Sequence, residues 1–330
     1  MQLITSNKII SKYGSDIIDN IKQISENIHI FNDGVKQEEV YNYIQTSCEK
    51  IFLIVGGPDI IPFMNIKNPV NDKDKYIESD GAYTASAPDY LYSEKIISRI
   101  PDEQNNWNKD FFIKILNNSR STTTKKQFGI NYCALRWDRI SKYLQNKFNF
   151  KIYLTSPSQE NNKLKNNNIH DCYISHINLH GKKNVSNYFG QDENGFPIAL
   201  SISDIISANG SIYYIECCYG GQLSNKNKLN SIPLHLLGLG ADAIICSTSI
   251  SYGPVFPPPS QSDLLGEIFY SKIVKNSVSL GNLFFESKKQ FLIETINRFG
   301  MVGPEDKKTI LQFNIYGNPE KIIEIKKDGD

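Results

Sequence analysis

The chain has 330 residues, with 36 Lys and Arg against 35 Asp and Glu, a formal net charge of +1 and 40% hydrophobic residues. That balance excludes the global positive field with which a dedicated nucleic-acid binder or a polybasic membrane protein holds its partner. The length exceeds the roughly 100–150 residues usual for one domain, so a large unit or two packed subdomains are expected.

No run approaches the roughly 18 apolar residues of a membrane span. The opening MQLITSNKIISKYGSDII lacks the basic segment and apolar core of a secretory leader. A cytoplasmic location without membrane association is therefore expected. Cysteines 48, 133, 172, 217, 218 and 246 form no CxxC pair and no compact framework, which fits reduced thiols.

In chain order, helical patterns over 15–25 and 36–46 precede the apolar run IFLIVGG at 51–57, read as a buried strand ending in a Gly-Pro-Asp turn. KIISRIP at 95–101 reads as a second strand stopped by proline. Residues 71–103 carry eight acids against four bases and read as a loop-rich, acidic connection. After a helix near 106–118 the pattern alternates: strand 128–134, helix 137–147, strand 150–154, helix near 159–167, strand 172–178. It continues with helix 201–208, strand 211–217, helix 231–238, strand 241–247 and helices 263–275 and 279–296. Such alternation predicts an α/β fold, with a mostly parallel sheet between helical layers and a smaller N-terminal α/β subdomain over 1–120 ahead of a second one over 121–330. Ligand sites of these sheets lie beyond the carboxyl ends of the strands.

Two such ends carry chemistry. CYISHINL runs into His180-Gly181, and SIYYIE runs into Cys217-Cys218-Tyr219-Gly220-Gly221. Imidazole and thiol on neighbouring strand ends are the components of cysteine nucleophilic catalysis, and glycines let backbone N–H groups approach a substrate carbonyl. Taken singly, a strand-end cysteine is more often a small buried hydrophobe and a lone histidine a structural side chain. Spacing such as C-x5-R, paired metal ligands, a phosphate-binding GxxxxGK[ST] and a complete dinucleotide fingerprint are missing, so no metal or cofactor is expected. The base-rich stretch 120–165, with Trp137, Tyr143 and Phe148 interleaved, reads as a solvated helix face before a nucleic-acid patch.

LHG, IECCYGG, SDGAY followed by ISRIP, ADAIICSTSISYG and SLGNLFFESKKQFL followed by LQFNIYGNPEKIIE, in this order, resemble the gingipain-type branch of the caspase-like cysteine peptidases. The resemblance implies a caspase-like three-layer α/β/α sandwich and a cysteine endopeptidase acting on protein or peptide substrates. His180 becomes base and acid, Cys218 the nucleophile, and the N–H groups of Gly181 and Cys218 the oxyanion donors. Cys217 competes as nucleophile, but the family's glycine two residues beyond the thiol matches Gly220 counted from Cys218. The acid that orients the histidine in the family has no counterpart here, so a Cys-His dyad is expected.

Residues two apart on a strand share a face, which sets Glu216 on the side of Cys218. An acid in that place resembles superfamily members that accept Arg or Lys before the scissile bond; the alternative is an ion pair with a lysine. Asp138, Ser247 and Tyr252 are further pocket candidates by resemblance, and Arg136 opens the alternative of acidic specificity. A peptidase kept inside a cell needs a restraint, so narrow specificity or an activating or regulatory protein partner is expected. The competing class is a non-catalytic caspase-like scaffold.

Overall fold

A computed structural model describes residues 1–104, 106–120, 123–157, 172–275 and 277–326. In the first third, β1 (Gln2–Ser6), β2 (Ile28–Phe31), β3 (Ile51–Val55) and, after the hairpin of β4 (Met64–Lys67) and β5 (Tyr76–Ser79), β6 (Ile96–Ile100) appear in turn. These form a parallel sheet in the order β2-β1-β3-β6, with the hairpin apart. Phe52 to Val55 are wholly buried, as a run of four apolar residues without polar alternation requires of a central strand. The helical pattern at 15–25 is α2 (Ile17–Lys22); α1 (Lys8–Tyr13), which was not read from the pattern, precedes it and is parted from it at Gly14, whose φ of 88° needs a residue without Cβ. Helices α3 (Gln37–Thr46) and α4 (Lys109–Ser119) complete this part.

The strands of the second part are β7 (Thr123–Ala134), β8 (Ile152–Ser156), β9 (Tyr173–Asn178), β12 (Ile212–Ile215) and β13 (Ala243–Ser247), parallel in the order β8-β7-β9-β12-β13. The short pair β10 (Tyr188–Phe189) and β11 (Ile198–Leu200) stands between β9 and β12 in the chain. Helices α5 (Asp138–Phe148), α6 (Ile232–Gly238), α7 (Gln261–Lys275), α8 (Leu280–Phe299) and α9 (Pro304–Gln312) cover the sheet, and β14 (Val278–Ser279) and β16 (Ile322–Ile325) extend its edge beyond β7.

The two halves join through β15 (Phe313–Gly317), antiparallel to β13 and parallel to β6 at Tyr316–Arg99. The halves therefore run in opposite directions, and only the C-terminal half ends its strands at the rim holding His180 and Cys218. Behind the SDGAY and ISRIP segments lies a buried fork: Arg99 Nε donates to Asp80 Oδ2 at 2.9 Å and Nη2 to Oδ1 at 2.6 Å, while Nη1 is taken by the carbonyls of Gly56 and Ile61. A guanidinium buried at 0% exposure is tolerated because its donors are matched in this way.

The sheet separates two cores, and β12 feeds both in alternation. Tyr213 and Ile215 join the core shared with α1, α2, α4 and α6, whereas Ile212 and Tyr214 join the one shared with α7, α8 and α9. The expected helix at 201–208 is instead a short turn at Ile202–Asp204, closed where Asp204 Oδ2 accepts from the N–H and hydroxyl of Ser201. Side chain to backbone bonding by Ser and Asp offered the chain a tighter alternative than a helix. The helix expected near 159–167 lies outside the described residues. Strands β1, β2, β15 and β16 and helix α9 were not read as separate elements from pattern alone.

Candidate active site

The β9–β12 register pairs Ile177 with Ile215. Extended three places, it sets His180 level with Cys218. The two ends approach so closely that a Cβ at residue 181 would lie 1.9 Å from the Cys218 carbonyl oxygen, so only glycine can follow the histidine. Beyond Cys218 the chain turns sharply at Tyr219, with φ of 57°, and Gly220 N and Gly221 N donate to the carbonyls of Cys217 and Ser247 at 2.8 and 2.7 Å. A Cβ at 221 would meet Cys246 Sγ at 2.6 Å, which accounts for the second glycine.

The adjacent thiols have different surroundings. Cys217 is 0% exposed and belongs to the core that holds Tyr213 and Ile215, and burial pushes its thiol well above the ordinary range. Cys218 is half-buried; its sulfur accepts from Ser251 N at 3.4 Å and faces Ser251 O at 3.7 Å. Burial raises the Cys218 thiol, opposed by the Ser251 N–H and the Lys308 charge. Among the described residues the N–H groups of Gly181 and Cys218 donate to no carbonyl of the protein.

Three side chains hold His180. Nε2 lies 2.7 Å from Gln191 Oε1, the Trp137 ring is 4.4 Å from the imidazole, and Phe196 meets it edge-on at 5.0 Å. An amide oxygen only accepts, so Nε2 carries the proton and Nδ1 keeps its lone pair. Burial lowers the His180 pKa, the Gln191 bond opposes this, and the nearby Arg136 adds to the lowering. Gln191 and Phe196 both come from the turn between β10 and β11, which sequence reasoning did not connect to the histidine.

Glu216 continues the alternation of β12 on the α7 side, and its side chain is 3% exposed. No lysine pairs with it among the described residues. It faces Asp263 of α7 and His176 of β9 instead, and one ligand atom from each of the three lies within 4.8 Å of the others. Burial, then the Asp263 charge, raises the Glu216 carboxyl well above the usual range, and burial with the Glu267 charge does the same to Asp263. Burial holds His176 neutral, down to about 3. Above this pair sits exposed Gly253: a Cβ there would be 2.4 Å from Asp263 Oδ2 and 3.9 Å from Glu216 Oε2. A side chain at this surface position would thus crowd two buried acids.

Tyr252 and the acidic connection meet in one network. Tyr252 Oη donates to Asp72 Oδ2 at 2.6 Å and Tyr219 Oη to Asp74 Oδ1 at 2.6 Å, while Ile250 N donates to Asp74 Oδ2 at 2.8 Å. Lys308, buried on α9, binds Asp72 and Asp74 at 2.7 and 2.8 Å. The segment read as a loop-rich connection therefore anchors both sides of Cys218. Ser247 is buried with its hydroxyl on the Cys217 carbonyl at 2.8 Å, supporting the turn. Asp138 opens α5 and is engaged by Tyr153 Oη at 2.9 Å and Lys142 at 2.8 Å. Arg136 is exposed and shares an open cleft with Gln191, Asp192 and Glu193 beside His180.

Residues 17–321 match the model of peptidase family C25. The chain belongs to peptidase family C25. It is similar in structure to the Arg-specific cysteine proteinase gingipain R, with a TM-score of 0.64 at 15% identity over 97% of this chain and 77% of that one. A complex of Porphyromonas gingivalis RgpB pro- and mature domains gives 0.66 at 13% over 97% and 78%. A structure described as a protease gives 0.62 at 12% over 98% and 78%. No curated protein sequence matches closely. This C25 chain has the caspase-like α/β fold and is a cysteine-type peptidase, a hydrolase acting on protein substrates.

Proposed function

We propose that this C25 peptidase is an endopeptidase that cleaves after Arg or Lys with a Cys218–His180 dyad. The observation that carries the specificity is the pair Glu216 and Asp263, buried beneath exposed Gly253 with no lysine or arginine paired to them among the described residues. Two carboxylates in a low-dielectric site favour a guanidinium or ammonium guest and reject an anionic one, with Arg favoured by its fork. Arg136, the basis for acidic specificity, stands exposed on the His180 side, away from these acids.

The dyad rests as neutral thiol and neutral imidazole, because burial raises the first and lowers the second. As Cys218 Sγ attacks the scissile carbonyl, its proton passes to His180 Nδ1, and the oxyanion is met by the N–H groups of Gly181 and Cys218. The imidazolium then protonates the departing amine as the C–N bond breaks. Water, deprotonated by His180, hydrolyses the thioester and restores the thiol. Tyr252, tethered by Asp72, and Ser247, through the Cys217 carbonyl, shape the pocket walls; Asp138 lies further out on α5.

The proposal extends to the setting. All six cysteines are free, which favours a reducing cytoplasm. Residues 1–120 form the smaller subdomain and 121–330 the catalytic one, and a protein partner or processing step restrains the activity. An arginyl chloromethyl ketone tests the core of this reading: mass spectrometry of wild type and of Cys217→Ala should place one adduct on Cys218. An adduct on Cys217, or labelling by an aspartyl analogue and not the arginyl one, would overturn it.

A further inference from the structure

The acid pair has a third member that a guanidinium does not require. His176 is 0% exposed, and its Nε2, Glu216 Oε1 and Asp263 Oδ2 are all buried and have no hydrogen-bond partner among the described residues. Nε2 lies 3.9 Å from Glu216 Oε1, and one ligand atom from each of the three residues falls within 4.8 Å of the others. A guanidinium or ammonium consists of donors, which two carboxylates already satisfy. An added imidazole nitrogen aimed at the same point makes a mixed nitrogen and oxygen donor set.

We propose that His176, Glu216 and Asp263 bind a divalent cation of the zinc class, which competes with the substrate's cationic side chain for the pocket floor; the competition rests on the pocket reading above. Zinc bonds of roughly 2.0–2.2 Å set neighbouring ligands about 3.3 Å apart, so a contraction of about 0.6 Å for the closer pair and at most about 1.5 Å for the widest closes the site. Two carboxylates and a neutral imidazole balance a double positive charge. Outer contacts orient the ligands: Tyr270 Oη lies 2.9 Å from His176 Nδ1, and Asn178 Nδ2 donates to Asp263 Oδ1 at 3.4 Å. Three protein ligands leave a fourth coordination position for water or a substrate group. The ligands come from β9, the end of β12 and the first turn of α7, so no short spacing in the sequence announces them.

The test uses the full chain carrying Cys218→Ala, Cys172→Ser and Cys48→Ser, which removes the three exposed or half-buried thiols that would bind zinc themselves, and titrates zinc chloride calorimetrically with and without agmatine as a guanidinium probe. The expected result is one zinc per chain, bound at least about tenfold more weakly after Asp263→Asn or Glu216→Gln, with agmatine raising the apparent zinc Kd. His176→Gln should act alike, and the two isosteric carboxamides keep the test independent of folding at that buried histidine. Zinc affinity unchanged in Asp263→Asn, or zinc and agmatine bound side by side, would overturn the proposal. Agmatine binding sensitive to Glu216→Gln without zinc binding would remove the metal and leave the pocket. Zinc uptake without agmatine uptake would uphold the ligands and overturn the pocket reading.

Discussion

Cys217 and Cys218 are consecutive, yet the first is sealed in the core with Tyr213 and Ile215 while the second stands half-buried at the rim against the Ser251 backbone. The strand period of two makes this division, and it predicts opposite consequences for two similar substitutions. Cys218→Ala should abolish peptide turnover with little change in thermal stability. Cys217→Ala should keep kcat within about twofold and lose on the order of 1 kcal/mol of stability to a small core defect. Activity assays paired with denaturant melts separate the two.

Glu216 and Asp263 give a signed pH effect. Both carboxyls are raised in the folded protein, so folding holds protons that the unfolded chain releases above its ordinary values of 3.8 for Asp and 4.5 for Glu. Stability is therefore unaffected well below those values and falls as pH rises through them. Glu216→Gln and Asp263→Asn should each raise Tm at pH 7–8 by roughly 2–4 °C, for about 1 kcal/mol, and leave it unchanged at about pH 3 and below. The same ionisation admits the cationic guest, so KM for an Arg substrate should fall as pH rises in wild type and flatten in both variants.

The fold was legible where apolar runs and turn residues agreed, as for β3, β12 and β13. Glu216 was legible because a two-residue period needs no knowledge of the neighbouring elements. Asp263, His176 and Gln191 were not, because α7, β9 and the β10–β11 turn bring them together only through tertiary packing. SISDIIS at 201–207 misled because its isoleucines mimic one helical face, while Ser201 and Asp204 close a shorter turn. The reversal of direction between the two halves rests on β15 entering antiparallel between β13 and β6, which no local pattern encodes.

Gln191 fixes the tautomer of His180 without adding charge. The histidine must be neutral to act as base, so kcat/KM should fall on the acid side through a pKa below the ordinary 6.5. Gln191→Glu should stabilise the imidazolium and move that limb to higher pH. Gln191→Ala should lower kcat about tenfold or more by freeing the ring. An unmoved acid limb in Gln191→Glu would show that the contact does not orient the base.

Lys308 ties α9 to Asp72 and Asp74, which in turn hold Tyr252, Tyr219 and Ile250 around the thiol. Lys308→Met leaves two largely buried carboxylates without their cation and should cost about 3–5 kcal/mol, measured by urea unfolding. Asp74→Asn, which keeps the shape, should lose less stability and show its effect mainly in kcat/KM.

The measurement closest to the central claim is turnover of a matched set of fluorogenic peptides ending in Arg, Lys, Asn or Asp by wild type, Gly253→Ala and Cys218→Ala. Wild type should cleave after Arg and Lys only, with Arg slightly ahead. Gly253→Ala, whose methyl would intrude on Asp263 Oδ2, should lose that cleavage while remaining folded, and Cys218→Ala should be inactive. Cleavage confined to the Asp peptide, or full activity in Cys218→Ala, would contradict the account.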